Sequence, residues 1–110
     1  GSGTEYLAVT PWGDFYPCHQ FVGNEDYKLG SLYDGTFDKE LSGRFAGLNI
    51  YTREECRDCW ARFYCSGGCS ASNLLVNGDI KKPHRVGCEL ERKRLECAIA
   101  LRAIAAGMAE

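Results

Sequence analysis

Cysteine dominates the chemistry open to this chain. Cys56, Cys59, Cys65 and Cys69 fall in the spacing C-x2-C-x5-C-x3-C, with Cys18, Cys88 and Cys97 outside that stretch. Thiolates bind soft and borderline metals, so four of them suit either zinc or an iron–sulfur cluster; a disulfide framework is the third use of dense cysteine. Seven thiols cannot all pair within one chain, and no charged-then-apolar leader marks the sequence for secretion. Clustered cysteines in a reducing compartment bind metal, and the expected location is the cytoplasm. Ligands at x2 spacing reach one centre from a single turn, so Cys56 and Cys59 are read as partners. The second pair, Cys65 and Cys69, is one residue longer and follows closely, a short separation for zinc knuckles carried on separate hairpins. A cluster is a larger object, whose ligands can come from one compact loop and one distant residue.

The residues around the thiols sharpen this reading without closing it. Gly67-Gly68 permits positive φ and lets backbone N–H groups approach sulfur. Trp60, Phe63 and Tyr64 read as core that also shields the site. Cys88 follows Gly87 at the expected start of the last helix, where the dipole favours a thiolate. Cys18 closes a hairpin five residues after Gly13. Taken alone, Cys18 and Cys88 read as buried thiols; with the loop they read as ligands. Cys97 reads as a small buried hydrophobe, His19 as a structural hydrogen bonder and His84 as surface. No paired carboxylates and no nucleophile–base arrangement stand out.

These residues must be positioned by a small α+β fold. Glu5 to Cys18 reads as a β-hairpin turning at Pro11-Trp12-Gly13-Asp14, followed by a polar loop and a short strand over Lys28–Leu32. Apolar residues at 37, 41 and 45 predict a short amphipathic helix ending at Gly47. Thr52-x-x-Glu55 has the capping-box pattern, which predicts a helical turn leading into the Cys-rich loop. Ser70 to Val76 is a further short helix before the Asn77-Gly78 turn. The clearest element is a helix over Cys88–Met108, with Leu90, Cys97, Leu101, Ile104 and Met108 as its buried stripe. The whole chain, residues 1–110, reads as a single domain of short helices and Cys-rich loops between a hairpin and a long helix.

Composition narrows the partners. The formal charge of −2 offers no basic face, which argues against nucleic acid. No apolar run approaches the roughly 18 residues of a membrane-spanning helix. A chain of 110 residues buries a modest share of its surface, so a metal would help it fold.

At this point the chain resembles a known family. Gly13-x4-Cys18, then Cys56-x2-Cys59-x5-Cys65-x3-Cys69, then Cys88 resemble the SPASM domain, the auxiliary-cluster extension of radical S-adenosylmethionine enzymes that modify ribosomal peptides. Tyr6 to Pro11, Tyr16 to Gly23 and Gly87 to Cys97 further resemble the maturases of the six-Cys SCIFF peptides (ranthipeptides). The resemblance implies two auxiliary [4Fe–4S] clusters, with Cys56, Cys59, Cys65 and Cys88 holding the one farther from the S-adenosylmethionine site. Cys18 and Cys69 would serve the nearer one, together with a Cys expected before Gly1; in the SCIFF-type relatives this cluster is thought to keep an iron open to a substrate thiol. It also implies roles in electron transfer and substrate thiol binding. The implied partners are a radical S-adenosylmethionine catalytic domain and a Cys-rich precursor peptide destined for thioether crosslinks. S-adenosylmethionine itself belongs to the parent enzyme, because Ala71 and Ser72 follow Cys65-x3-Cys69 where the C-x3-C-x2-C triad needs its third Cys. The different reading kept beside this one is a zinc-stabilised interaction module, with a structural metal and the last helix as a docking surface.

Overall fold

Gly13 turns the first hairpin. Its φ of 81° lies in the left-handed region that favours glycine. Its N–H donates to the Thr10 carbonyl, and the Asp14 N–H donates to the Thr10 hydroxyl. The structure, a computed structural model, describes residues 1–107. It divides into two compact units, Gly1–Leu48 and Asn49–Glu110.

The first unit carries a four-stranded antiparallel sheet in the order β1-β2-β3-β4. Strand β1 (Ala8–Val9) pairs with β2 (Asp14–Tyr16), with Ala8 opposite Tyr16. Strand β3 (Gly30–Ser31) bridges β2 and β4 (Thr36–Phe37). The expected hairpin and the strand within Lys28–Leu32 are both present; β4 is an addition. A β-carbon on Gly30 would run into the Thr36 carbonyl, so the β3–β4 pairing requires glycine there. Helix α1 (Lys39–Ala46) starts at Asp38, whose carboxylate accepts the Leu41 N–H at 2.9 Å. It buries Leu41 and Phe45, as the four-residue spacing predicts. Phe45 meets Phe21 edge-on at 5.4 Å, and Tyr16 and Leu29 complete an ordinary apolar core.

The second unit is built differently. It contains α2 (Arg62–Cys65), α3 (Ser70–Asn77) and α4 (Arg85–Ala105). Thr52 does not open a helix. The Asn49 side chain instead accepts the Tyr51 and Thr52 N–H groups in a turn, and turns continue to Trp60. Helix α4 begins right after Pro83-His84, three residues earlier than predicted, because Pro83 sets the boundary. Its expected buried stripe is not buried: Leu90, Cys97, Leu101 and Ile104 are exposed, and Met108 lies outside the described residues.

Trp60, Phe63 and Tyr64 are exposed as well, so they form no core. Trp60 and Tyr64 line an apolar groove of about 480 Å³ with Leu95, Ile99 and Ala103 of α4. Among the described residues of this unit, the buried hydrophobic side chains are Cys56, Ala61 and Ile80, joined by buried Arg53 and Asn73. That is a thin apolar core for a unit of this size. Units so built rely on a metal or cross-links for stability. No helix among the described residues is long and apolar enough to cross a membrane.

Candidate metal centre

Tight turns wind the Cys-rich stretch. The Cys56 N–H donates to the Arg53 carbonyl at 3.0 Å, the Cys59 N–H to Cys56 at 3.1 Å, and the Cys65 N–H to Ala61 at 2.9 Å. The first two are three-residue turns and the third is the helical bond of α2; Cys56 ends up buried, Cys59 and Cys65 half-buried. Ser66 then ends α2 in the left-handed region with φ 61°, and Gly67 and Gly68 continue there at 96° and 78°. The chain thereby reverses into α3.

The fourth thiol arrives through a hydrogen-bonded brace. Asn73, 1% exposed, donates through Nδ2 to the Gly67 carbonyl at 3.4 Å and the Ile80 carbonyl at 3.5 Å. Its Oδ1 accepts the His84 N–H at 2.9 Å. One side chain thus ties the glycine turn to the residue that starts α4. The Cys88 N–H donates to the His84 carbonyl at 3.0 Å, which sets Cys88 in the first turn of that helix.

The result brings Cys56, Cys59, Cys65 and Cys88 to one narrow cavity of about 30 Å³, walled by Gly67 and flanked by Arg62 and Arg92. Cys65 and Cys88 also line a neighbouring cavity of about 290 Å³, which Cys69 and His84 share. Among the described residues, no group of three or more His, Cys, Asp or Glu is arranged to hold a metal ion. The four thiols surround a common space instead. Cys69 is exposed at the N-cap of α3, and Cys18, in the first unit, is half-buried at the N-cap of the 3₁₀ turn His19–Phe21. Cys97, expected inside, is exposed on α4.

Burial pushes the Cys56 thiol above its ordinary value, against the pull of the Arg53 charge; the thiols of Cys88, Cys65 and Cys59 push it further up. Cys88 is likewise raised, first by burial, with Arg92 opposing and Cys65 and Cys59 adding to the rise. The dipole expected to favour a thiolate at Cys88 is therefore outweighed. Cys56 and Cys88 each feel neighbouring thiols, a repulsion that a cation at this place would relieve.

This donor set fits a [4Fe–4S] cluster chemically, with four soft ligands; around them Arg62 and Arg92 are matched by the carboxylates of Glu55 and Glu91. At about 30 Å³ the cavity is no larger than one water's share of liquid, so a cluster requires the loop to move outward. In that loop Trp60, Phe63 and Tyr64 face solvent, while Cys56 and Ala61 are buried.

Sequence reasoning missed Arg53. It is 3% exposed, and Nη1 donates to the Ile80 and Lys81 carbonyls at 2.8 and 2.9 Å. The pattern around it drew attention to Thr52 and Glu55, and an arginine three residues before a cysteine carries no motif of its own.

No family model matches the chain. It is similar to an uncharacterized protein of Archaeoglobus fulgidus, with 31% identity over 97 residues. The match takes in 84% of this chain and 23% of that protein, so the chain spans about a quarter of its relative's length.

Proposed function

We propose that this chain is an auxiliary [4Fe–4S] cluster-binding module of a larger radical S-adenosylmethionine enzyme, one that installs thioether crosslinks in a Cys-rich ribosomal peptide. The observation that carries the reading is that Cys56, Cys59, Cys65 and Cys88, drawn from the turn region, α2 and α4, line one cavity. The cysteine spacing and the thin apolar core of the second unit support it. A cluster held there supplies one-electron transfer at a potential set by surrounding charge and hydrogen bonds to sulfur. The protein's own contribution is placement: Asn73 fixes the glycine turn against α4, Gly67 lets Arg53 pack behind the wall, and charges of both signs, Arg62 and Arg92 with Glu55 and Glu91, stand around the thiols. Its partners on this reading are the catalytic domain of the parent enzyme and the precursor peptide.

Iron and sulfide analysis after anaerobic reconstitution tests the proposal, together with absorption near 400 nm. Brown protein with about four irons per chain is the expected result. Colourless protein carrying stoichiometric zinc would overturn it in favour of a structural metal and an interaction module, for which the apolar groove beside Trp60 and Ile99 would then be the docking surface.

A further inference from the structure

Arg53 is a buried cation without a counter-ion. Its hydrogen-bond acceptors are neutral: the carbonyls of Ile80 and Lys81 at 2.8 and 2.9 Å and the Ser70 hydroxyl at 3.4 Å. Its Nε–H is buried with no acceptor at all. Among the described residues no carboxylate lies within ion-pair distance of it. A guanidinium taken out of water without a paired anion is strongly unfavourable, and proteins keep such charges only where an anion compensates them. Nε stands directly against Gly67, where a β-carbon would come within 2.5 Å of it, and Gly67 forms a wall of the four-thiol cavity. The unsatisfied edge of Arg53 and the thiols thus share one glycine.

We propose that Arg53 is the built-in counter-charge of this centre, a positioning residue whose buried guanidinium balances the negative charge of the four thiolates and of the cluster they hold. The inference rests on the cluster reading above. It explains why a costly cation sits where an apolar side chain would pack more favourably, and why glycine occupies position 67. It also assigns Arg53 a measurable effect: a fixed positive charge favours the more negative, reduced state of the centre and so raises its potential.

The test compares wild type with Arg53→Lys, Arg53→Gln and Arg53→Met in the reconstituted 110-residue chain, by iron and sulfide content and by a redox titration followed by electron paramagnetic resonance. The lysine variant keeps the charge, and its reduction equilibrium should stay within about threefold of wild type. The two neutral variants should be at least tenfold harder to reduce, about 59 mV for a one-electron couple, and should release iron to a chelator faster. A merely structural arginine would lower stability in all three variants and leave the potential of the remaining cluster unmoved, which overturns the proposal. Equal shifts in the lysine and neutral variants overturn it as well. Should the neutral variants not fold, Arg53→His decides: a potential that rises toward that of wild type as the imidazole gains its proton upholds the counter-charge, and one that does not follow this titration rejects it. Wild type without iron defeats the underlying cluster reading; wild type with iron and no charge dependence defeats this inference alone.

Discussion

Gly67 and Arg53 are in a contact that only glycine permits: a β-carbon on Gly67 would stand 2.5 Å from Arg53 Nε and 2.6 Å from Cδ. Gly67 also holds a φ of 96°, which side chains rarely adopt. Gly67→Ala should therefore destabilise the second unit by roughly 2–4 kcal/mol, combining backbone strain with overpacking. Thermal unfolding measures this, and Gly23→Ala, where a β-carbon meets nothing within 4 Å, is the matched positive-φ control. Equal effects at the two positions would show that the Arg53 contact is unimportant.

Asn73 is the second point of dependence. Its side chain serves Gly67, Ile80 and His84 at once from a buried position. Asn73→Ala leaves the Gly67 carbonyl and the His84 N–H short of a partner, at about 1–3 kcal/mol for each buried group left unsatisfied. The expected result is a lower melting temperature together with weaker iron retention, since the same brace sets Cys88 against the turn. A variant that melts early yet keeps iron as tightly as wild type would separate the two.

Cys59→Ser removes one thiol from the common cavity. Where the unfolded chain has no preformed site, metal binding free energy is folding free energy. With so few buried apolar side chains in the second unit, the variant should lose metal and melt at a lower temperature. The control is Cys97→Ser, because Cys97 is exposed on α4 and outside the cavity. Unchanged unfolding of the Cys59 variant would count against metal-dependent folding.

The pH dependence should reverse sign on metal loading. Cys56 and Cys88 are raised above the ordinary 9.0, chiefly by burial. In the metal-free protein, thiols of the unfolded chain ionise near 9.0 while these two stay protonated in the fold. Their contribution to stability is whole below that pH and is lost as pH rises through the elevated folded values. Loading, by contrast, needs thiolates and strengthens as pH rises. Melting temperatures between pH 7 and 10.5, with and without chelator, read both trends. A Cys88→Ala variant should flatten the metal-free slope.

Cys69 is exposed and stands at the larger cavity beside Cys65 and Cys88. On the function proposed above, Cys69→Ala in the full-length enzyme should abolish thioether formation in the peptide while S-adenosylmethionine cleavage persists. Product mass and cleavage rate give the two readings independently, and normal crosslinking would reject a role for this thiol.

The hairpin and α1 were legible in the sequence because local rules govern them. Gly13 sets a turn, Asp38 caps a helix, and Leu41 and Phe45 repeat at helical spacing over an apolar core. Spacing alone grouped Cys56, Cys59, Cys65 and Cys69; the choice of Cys88 as the fourth member came from the family resemblance. The second unit otherwise resisted reading, because apolar periodicity predicts burial only where something covers the stripe. Leu90, Leu101 and Ile104 carry the pattern and remain exposed. Its interior is held by Arg53 and Asn73 acting on backbone carbonyls, contacts between residues 27 and 7 positions apart at Ile80 that no local pattern announces. Thr52 misled for the same reason: the Asn49 side chain competes for its N–H and makes a turn where a cap was expected.

The Asn73 brace also bears on the order in which the thiols can gather. Cys56, Cys59 and Cys65 lie within one short stretch, whereas Cys88 follows Cys65 by a long interval that includes α3. Closing that interval in a flexible chain costs roughly 2 kcal/mol more than closing the gap between Cys56 and Cys59, since loop entropy grows with the logarithm of length. Asn73 divides the interval, fastening residue 73 to 67 on one side and to 84 on the other. A single long closure becomes a short one within α3 and its flanks, followed by one helical turn to Cys88. The three local thiols then form a nucleus that the fourth joins by zippering rather than by search.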